Sequence, residues 1–340
     1  LGGITLQNNA YANISVGASL QVSTAGVFDE QQSDFQDVDV FVINVGHSTN
    51  VNEQSLAPFA KSTGENLSLT SYGVGGSTAY FASPSTAIHS TFIGSGLDSH
   101  SIFLSDGVFD ESLVISPASS EANLLVASME NSQPTFTGGL LMQSNHLMNN
   151  ITIDGITLLG EGATDIALSI DASAGVSDLT IRDMVIDASD VVNSRSGIVC
   201  SGLFGNVVID NNQLINLDGS FSFSTTPGGT DDGAGVISSL QFTDNSIVDS
   251  ESSVNIEPVI GTIANAQVMG NVFVDSGVNS TGNDNTPMLT IRDSSILYLA
   301  DNHLQNIYST QGIFLQDVRY ITVVDNNLSN VDSAITIDES

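Results

Sequence analysis

The sequence reads LYLADNHLQN at residues 297–306 and ITVVDNNLSN at residues 321–330. Each stretch has a short alternating apolar segment, then an Asp or Asn that we call the anchor, then an apolar residue two positions after it. This pattern occurs seven times between residues 150 and 330. The seven copies are Asp154-x-Ile156, Asp183-x-Val185, Asn212-x-Leu214, Asn245-x-Ile247, Asn271-x-Phe273, Asn302-x-Leu304 and Asn326-x-Leu328.

The anchors recur at intervals of 29, 29, 33, 26, 31 and 24 residues. Repeats of this length that carry β-branched runs and no helical periodicity are typical of a β-solenoid, in which each repeat forms one coil. The alternating segments before the anchors predict half-buried strands. In six of the seven copies another Asp or Asn follows four residues after the anchor. These six residues are Asp187, Asn216, Asp249, Asp275, Asn306 and Asn330.

Asn and Asp suit the corners between such strands, because they tolerate the left-handed backbone conformation and hydrogen bond to nearby peptide groups. If successive coils stack about 4.8 Å apart, asparagine side chains can hydrogen bond from coil to coil. We therefore interpret the anchors as structural residues rather than as metal ligands or catalytic carboxylates. The predicted ladder consists of Asn212, Asn245, Asn271, Asn302 and Asn326.

Residues 101–115 read SIFLSDGVFDESLVI, which contains Ile102-x-Leu104, Gly107-x-Phe109-x-Glu111 and Leu113-x-Ile115. This order of strand, Gly-x-aromatic-x-Glu turn and strand resembles the opening of the helix in the pectin-lyase-like superfamily. The resemblance covers about residues 101–335 and implies an all-β fold, a right-handed single-stranded parallel β-helix. We expect a β-rich N-terminal region with long loops over residues 1–95, followed by the parallel β-helix over residues 96–340.

The chain carries 38 acidic and 5 basic residues, and its formal net charge is −33. This charge repels nucleic acids and anionic membranes, so we expect neither as a partner. We also expect no membrane insertion, because no segment approaches 18 uninterrupted apolar residues. Salt relieves the self-repulsion and divalent cations are attracted. We therefore expect an extracellular or cell-surface location in a saline or calcium-containing environment.

Two acidic segments are candidates for binding calcium, the only cofactor that we consider. Residues 28–39 contain three aspartates at i, i+3 and i+5, although a solvated acidic loop explains that segment better. The glycine-rich stretch 219–235 contains a pair of adjacent aspartates and is expected to protrude as a loop. The candidate calcium ligands are Asp34, Asp37, Asp39, Asp231 and Asp232.

The stretch 276–287 is expected to form a second protruding loop. It contains Asn279, the best candidate for glycosylation among the five Asn-x-Ser/Thr sequons of the chain. The single cysteine, Cys200, lies in the apolar segment GIVCSGL, which predicts a small buried hydrophobic residue.

Enzymes of the superfamily implied by the resemblance use an Arg beside calcium-binding Asp residues, or three clustered Asp with Gly-His-Gly and Arg-Ile-Lys motifs, or two Asp with a Gln and an Arg. This sequence contains neither Gly-His-Gly nor Arg-Ile-Lys, so we assign no catalytic residue. Arg182 and Arg292 each lie in an Ile-Arg-Asp tripeptide, and we expect them to pair with Asp183 and Asp293.

We expect a non-enzymatic extracellular protein, a structural or adhesive β-solenoid of a cell surface, sheath or filament. Neither end shows an obvious cap, so we expect protomers to associate head to tail through their strand edges. Surface glycans are a further candidate partner. The alternative is a polysaccharide-active enzyme, a glycoside hydrolase or lyase, or a phage-type tailspike on the same fold. Its first candidate carboxylates are Asp210, Asp231 and Asp232.

Overall fold

The computed structural model of the protein describes residues 2–7, 10–20, 26–31, 34–44, 49–51, 59–69, 74–81, 83–92, 99–116, 122–143, 146–159, 166–189, 196–224, 236–250, 252–258, 262–277, 287–309 and 311–338. Most of these residues lie in β-strands, and most strands pair in parallel with the strand one coil away. The protein is therefore a parallel β-solenoid. The resemblance implies that the coils wind in a right-handed sense, and this handedness stays a prediction. The boundary between the N-terminal region and the β-helix at residues 95–96 also stays a prediction.

The first five strands pair with one another in parallel. They are β1 (Gly2–Gln7), β2 (Ala10–Leu20), β3 (Gly26–Gln31), β4 (Asp34–Asn44) and β5 (Thr49–Val51). β1, β3 and β5 form one three-stranded sheet, and β2 pairs with β4. Residues 28–31 and 34–39 of the acidic segment therefore lie in β3 and β4, and the expectation of a loop is wrong for them. The acids of this segment alternate with Val38 and Val40, which is the period of a strand, and this alternation outweighs the local charge.

An antiparallel segment joins these strands to the β-helix. It consists of β6 (Ala60–Leu69), β7 (Val74–Phe81) and helix α1 (Pro84–Phe92), followed by β8 (Ser99–Leu104). β6 pairs antiparallel with both β7 and β8. Helix α1 begins after Ser83, whose hydroxyl accepts a hydrogen bond from the Thr86 N–H at 3.2 Å, and Pro84 supplies the preset first residue.

Helix α1 covers the first coil of the β-helix. Its buried residues Ala87 and Ile88 belong to the same core as Ile102 and Leu113. The Ser83 hydroxyl also donates to the Glu111 carboxylate at 2.9 Å. The sequence pattern does not predict this helix. Helix α1 thus shields the apolar interior at the start of the β-helix, whereas the expectation about the two ends of the chain stays a prediction.

The β-helix has three faces, which we call A, B and C in the order in which each coil visits them. Face A has strands of five to eight residues in most coils, and it includes the second halves of two long bent strands, β16 (Ile166–Arg182) and β18 (Ser196–Asp210). Its other strands are β8, β11 (Ala122–Ser128), β14 (Met148–Asp154), β21 (Val236–Thr243), β24 (Thr262–Met269), β27 (Ser294–Ala300) and β30 (Tyr320–Val324).

Face B is a nine-stranded parallel sheet of three-residue strands. These are β9 (Gly107–Phe109), β12 (Pro134–Phe136), β15 (Thr157–Leu159), β17 (Val185–Asp187), β19 (Gln213–Ile215), β22 (Ser246–Val248), β25 (Val272–Val274), β28 (His303–Gln305) and β31 (Asn327–Ser329).

Face C contains the first halves of β16 and β18 and the strands that close each coil. These strands are β10 (Leu113–Ile115), β13 (Leu140–Gln143), β20 (Gly219–Ser224), β23 (Ser252–Ile256), β26 (Leu289–Arg292), β29 (Ile313–Gln316) and β32 (Ile335–Asp338).

Every face sends alternate side chains into one continuous apolar core. On face B, for example, Ile247, Phe273 and Leu304 lie in register and are fully buried. Cys200 occupies the corresponding inward column on face C, in register with Ile170. It is buried there, as its apolar neighbours predict. Because the core runs along the axis, each coil is stabilised mainly by its two neighbours.

The corners between faces A and B consist of two adjacent columns of residues. The first column has a left-handed backbone and includes Asp183, Asn211, Asp244, Asp301 and Asp325. The second column includes the ladder asparagines. The first two predicted anchors are out of register: Asp183 belongs to the left-handed column, and Asp154 lies earlier still, in strand β14.

The residue that stacks on Asn212 in the preceding coil is Met184, whose backbone N–H donates to Asn212 Oδ1 at 3.0 Å. The early coils therefore place apolar side chains where later coils place asparagine. For this reason the polar anchors of the sequence pattern in those coils, Asp154 and Asp183, lie next to the asparagine column and are not part of it.

Candidate functional site

The ladder asparagines lie in one column between faces A and B, and all of them except Asn326 are buried. Each side-chain amide donates to the Oδ1 of the next asparagine, at 2.9 Å from Asn212 to Asn245, 3.0 Å from Asn245 to Asn271, 2.9 Å from Asn271 to Asn302 and 2.8 Å from Asn302 to Asn326. The same Oδ1 atoms also accept backbone N–H groups of the preceding coil. These side chains are thus committed to holding coils together.

The two arginines of the Ile-Arg-Asp tripeptides bind carboxylates of the preceding coil. Arg182 contacts Asp154 at 2.7 Å, whereas its distance to Asp183 is 3.9 Å. Arg292 pairs with Glu257. The expected pair with Asp183 is therefore present as the longer of two contacts, whereas the principal partner of Arg292 is Glu257 and not the expected Asp293. Coil stacking brings the residue 28 to 35 positions earlier beside each guanidinium.

Of the candidate calcium ligands, carboxylates and glycosylation site, the structure describes the side chain of Asp210 alone. Asp210 accepts a hydrogen bond from the Thr243 hydroxyl of the next coil. Asp34, Asp37 and Asp39 lie in β4, but their side chains are outside the described residues. Asp231, Asp232 and Asn279 also lie outside the described residues.

A cluster of charged side chains lies where face C turns into face A, beside Asp293. Glu257 and Arg292 form an ion pair on the outer surface of face C, and Asn255 Nδ2 donates to Glu257 at 3.2 Å. The Arg292 guanidinium also lies 5.9 Å from the centre of the Phe314 ring, a cation–π contact. Two buried atoms, Asn255 Oδ1 and Arg292 Nε, have no hydrogen-bond partner among the described residues.

Asp293 and Asp317 occupy equivalent corners of adjacent coils, both with left-handed backbone. The Asp293 N–H donates to the Gln316 carbonyl at 3.1 Å, so the two aspartates are one coil apart. Burial raises the pKa of Asp293, and the negative charges of Asp317 and Glu257 raise it further, while Arg292 opposes them. A carboxyl that holds its proton to higher pH can donate a hydrogen bond or act as a general acid.

An open depression of about 660 Å³ lies over this corner. Its lining combines hydroxyl groups, two carboxylates, a guanidinium and an exposed ring. The lining residues are Thr262, Asp293, Ser294, Ser295, Asp317, Val318, Arg319 and Tyr320. We call this depression the Asp293 corner. None of the sequence motifs described above predicts this corner. One signal that could predict it is an Asp directly after a face C strand, as in Arg292-Asp293 and Gln316-Asp317.

Other chemical features fall outside this corner. Burial raises the pKa of the Cys200 thiol, so the thiolate is strongly disfavoured. The described residues contain no group of three or more His, Cys, Asp or Glu side chains able to share a metal ion. In the same described part of the chain, no helix has the length and apolar character needed to cross a membrane.

No protein-family model matches the chain, and neither the curated proteins nor the solved structures contain a significant match to it. The structure itself therefore supplies the arguments for function.

Proposed function

We propose that the protein is a non-enzymatic structural or adhesive β-solenoid of a cell surface, sheath or filament. The observation that supports this most is the continuous asparagine ladder. At the A–B corner, the side chains from Asn212 to Asn326 hydrogen bond to one another along the axis of the solenoid. The apolar core is also continuous along this axis. Cohesion along one axis is what a rod that transmits or resists force requires.

Outer side chains add to this axial cohesion. Asn206 Nδ2 donates to Asp178 at 2.7 Å, and Ser239 donates to Asn206 at 2.9 Å, each across one coil. At the other end of the face B strands, directly after β28 and β31, Asn330 Nδ2 donates to Asn306 Oδ1 at 2.7 Å. Such bonds, repeated from coil to coil on both sides of the solenoid, favour a stiff body with a polar surface.

We further propose that the solenoid is a right-handed β-helix of the pectin-lyase-like superfamily. Strands β8, β9 and β10 coincide with the three parts of the motif in residues 101–115, which supports this assignment. The net charge of −33 supports a location outside the cell in a saline or calcium-containing environment. Head-to-tail association of protomers is part of the proposal, but α1 makes the covered side of the first coil unsuitable for it.

Electron microscopy tests the structural role. Purified protein at near-native salt, with calcium or with a chelator, should form fibres of uniform width. Single rods at high protein concentration under all of these conditions would overturn self-assembly. A comparison of the calcium and chelator samples also tests whether calcium takes part in assembly.

A second candidate function is glycoside hydrolysis at the Asp293 corner. The observation that favours it is the raised pKa of Asp293 beside Asp317, since glycosidases use one protonated and one ionised carboxyl group. Release of reducing ends from polysaccharides would test this, with Asp293→Asn and Asp317→Asn as the diagnostic variants. Activity that disappears in both variants would establish the enzyme, and activity that survives in both would place catalysis elsewhere.

A further inference from the structure

The outer surface of face A changes character along the axis. Through the middle coils, the column that contains Asp178, Asn206, Ser239 and Asn265 is polar, and its first three members are joined by hydrogen bonds. In the next two coils the same column holds Ile296 and then Tyr320. The lateral surface therefore changes from a hydrogen-bonded polar column to a pair of large apolar side chains.

A second tyrosine lies beside this pair. Tyr298 is two residues after Ile296 on β27, and it is in register with Thr322 on β30. Tyr320 and Tyr298 are therefore diagonal neighbours on adjacent parallel strands, within reach of one ligand. Ile296 is 49% exposed, Tyr298 38% and Tyr320 72%. We call Ile296, Tyr298 and Tyr320 the tyrosine patch.

The exposure of Tyr298 is a property of the side of the solenoid. Tyr298 has in-register neighbours in both adjacent coils, Gln267 and Thr322, and its ring is still more than one-third exposed. The inward residues of the same strand, Leu297 and Leu299, are fully buried. Stacking of further coils along the axis would not cover Tyr298.

Polar residues neighbour the patch on both adjacent strands and in the Asp293 corner. Gln267 and Thr322 are exposed and flank Tyr298 in one row across three strands. Tyr320 also lines the Asp293 corner together with Ser295 and Arg319. Aromatic rings next to amide, hydroxyl and guanidinium groups suit a ligand that has apolar faces and hydroxyl-bearing edges.

A sugar chain fits these requirements better than a protein surface. Three side chains cover far less than the roughly 800 Å² per partner of a stable protein interface. A second copy would also bring another net charge of −33 against this one. Because Asp293 and Asp317 line the adjoining depression, the sugar should carry no negative charge.

We propose that the tyrosine patch and the adjoining Asp293 corner bind a neutral polysaccharide, with β-linked hexose units stacked on Tyr298 and Tyr320. This inference deepens the adhesive role proposed above and rests on it. The proposed binding requires neither fibre formation nor hydrolysis. Binding can be measured on dilute protein, separately from both.

Native gel electrophoresis through mixed-linkage β-glucan tests the proposal, with gels containing alginate as the anionic comparison. The neutral β-glucan should retard the protein and alginate should not. Tyr298→Ala and Tyr320→Ala should each weaken retardation by about tenfold, the loss of one stacked ring. Tyr298→Phe should keep most of the binding, since the ring remains.

Tyr308→Ala is the matched control, because Tyr308 is 63% exposed but follows β28 on face B, away from the patch. Circular dichroism of every variant should match that of the parent at the temperature of the gel, so that a loss of retardation reports binding and not unfolding. Tyr298→Phe keeps the packed ring and therefore separates the two effects, since Tyr298 is only 38% exposed. The proposal is overturned if β-glucan fails to retard the parent, if both patch variants bind normally, or if Tyr308→Ala is weakened equally. If the protein forms fibres but β-glucan does not retard it, the structural role is supported and the proposed binding site is wrong.

Discussion

Asn271 shows why the ladder asparagines are hard to replace. Its Nδ2 donates to Asn302 Oδ1 at 2.9 Å and to the Phe242 carbonyl at 2.8 Å. Its Oδ1 accepts the backbone N–H of Asn245 at 2.9 Å and the Asn245 side-chain amide at 3.0 Å. The side chain is fully buried, so water cannot take over these bonds.

Asn271→Ala should therefore destabilise the protein by about 2–5 kcal/mol, because it leaves two buried donors of Asn245 unpaired. Asn326→Ala is the matched control, since its bonds are only partly buried and its removal should cost about 1 kcal/mol. Urea unfolding followed by circular dichroism measures both. Equal losses in the two variants would contradict the importance of burial in the ladder.

Asp293 should make stability depend on pH in an unusual direction. Its pKa is raised in the folded state, mainly by burial and then by Asp317 and Glu257. The folded protein therefore holds this proton more tightly than the unfolded chain, and ionisation of Asp293 destabilises the fold above its folded pKa. Asp293→Asn keeps a residue that tolerates the left-handed backbone and removes the charge.

The melting temperature of Asp293→Asn should exceed that of the parent at pH 7, and the difference should vanish as the pH falls below the ordinary aspartate pKa. Asp317→Asn should lower the pKa of Asp293, which NMR titration of the side-chain carboxyl measures directly. A parent and Asp293→Asn that melt alike at every pH would contradict this account.

Sequence reasoning succeeds at single residues when one residue type repeats once per coil. The five ladder asparagines can be found because Asn recurs at the same place before an apolar residue. The partners of Arg182 and Arg292 cannot be found that way, because Asp154 and Glu257 become neighbours only through coil register. The tyrosine patch is hidden for the same reason, since Tyr298 and Tyr320 are 22 positions apart in the chain.

At the scale of elements, the bends in long strands depend on glycine. β18 passes from face C to face A at Gly202, which has a φ of 119°. A Cβ atom there would lie 2.4 Å from the carbonyl carbon and oxygen of Ala172 in the preceding coil. Backbone atoms cannot rotate away, so the two coils would have to separate.

Gly202→Ala should cost at least about 2 kcal/mol, through both the strained backbone and the contact with Ala172. Gly155→Asn provides the control. Gly155 also has a positive φ, but it belongs to the left-handed column that elsewhere holds Asp183 and Asn211, and its added Cβ would meet the rotatable Ser128 hydroxyl. That variant should change stability by less than about 1 kcal/mol. Thermal unfolding compares the two, and a milder effect of Gly202→Ala would refute the argument.

The sequence predicts the elements themselves well where alternation is clear, as in β8 and β10 of the first coil, whereas Gly107–Phe109, expected within a turn, is strand β9. It fails where one signal conflicts with another. The acids of residues 34–39 suggest a loop, yet their alternation with valine forms β4. Helix α1 is short and only weakly amphipathic, so it depends on the Ser83 cap and on packing against the first coil.

For the whole molecule, the balance between core and charge sets stability. The apolar core is continuous along the axis and does not depend on salt, whereas the 38 acidic side chains repel one another with only 5 basic residues to offset them. Several acids stack directly along the corners, such as Asp301 and Asp325 in the left-handed column. Their repulsion is exposed to solvent and therefore open to screening.

Raising sodium chloride from about 0.1 M to about 1 M, where the Debye length falls from about 10 Å to about 3 Å, should raise the melting temperature. Calcium and magnesium chloride at equal ionic strength then separate screening from binding. If the aspartates at 34, 37, 39, 231 and 232 form a calcium site, calcium should stabilise the protein more than magnesium does, and Asp231→Asn with Asp232→Asn should remove part of the difference. If calcium and magnesium have equal effects, charge screening is sufficient to explain them and no calcium site is needed. If sodium chloride does not change the melting temperature, self-repulsion does not limit the stability of this solenoid.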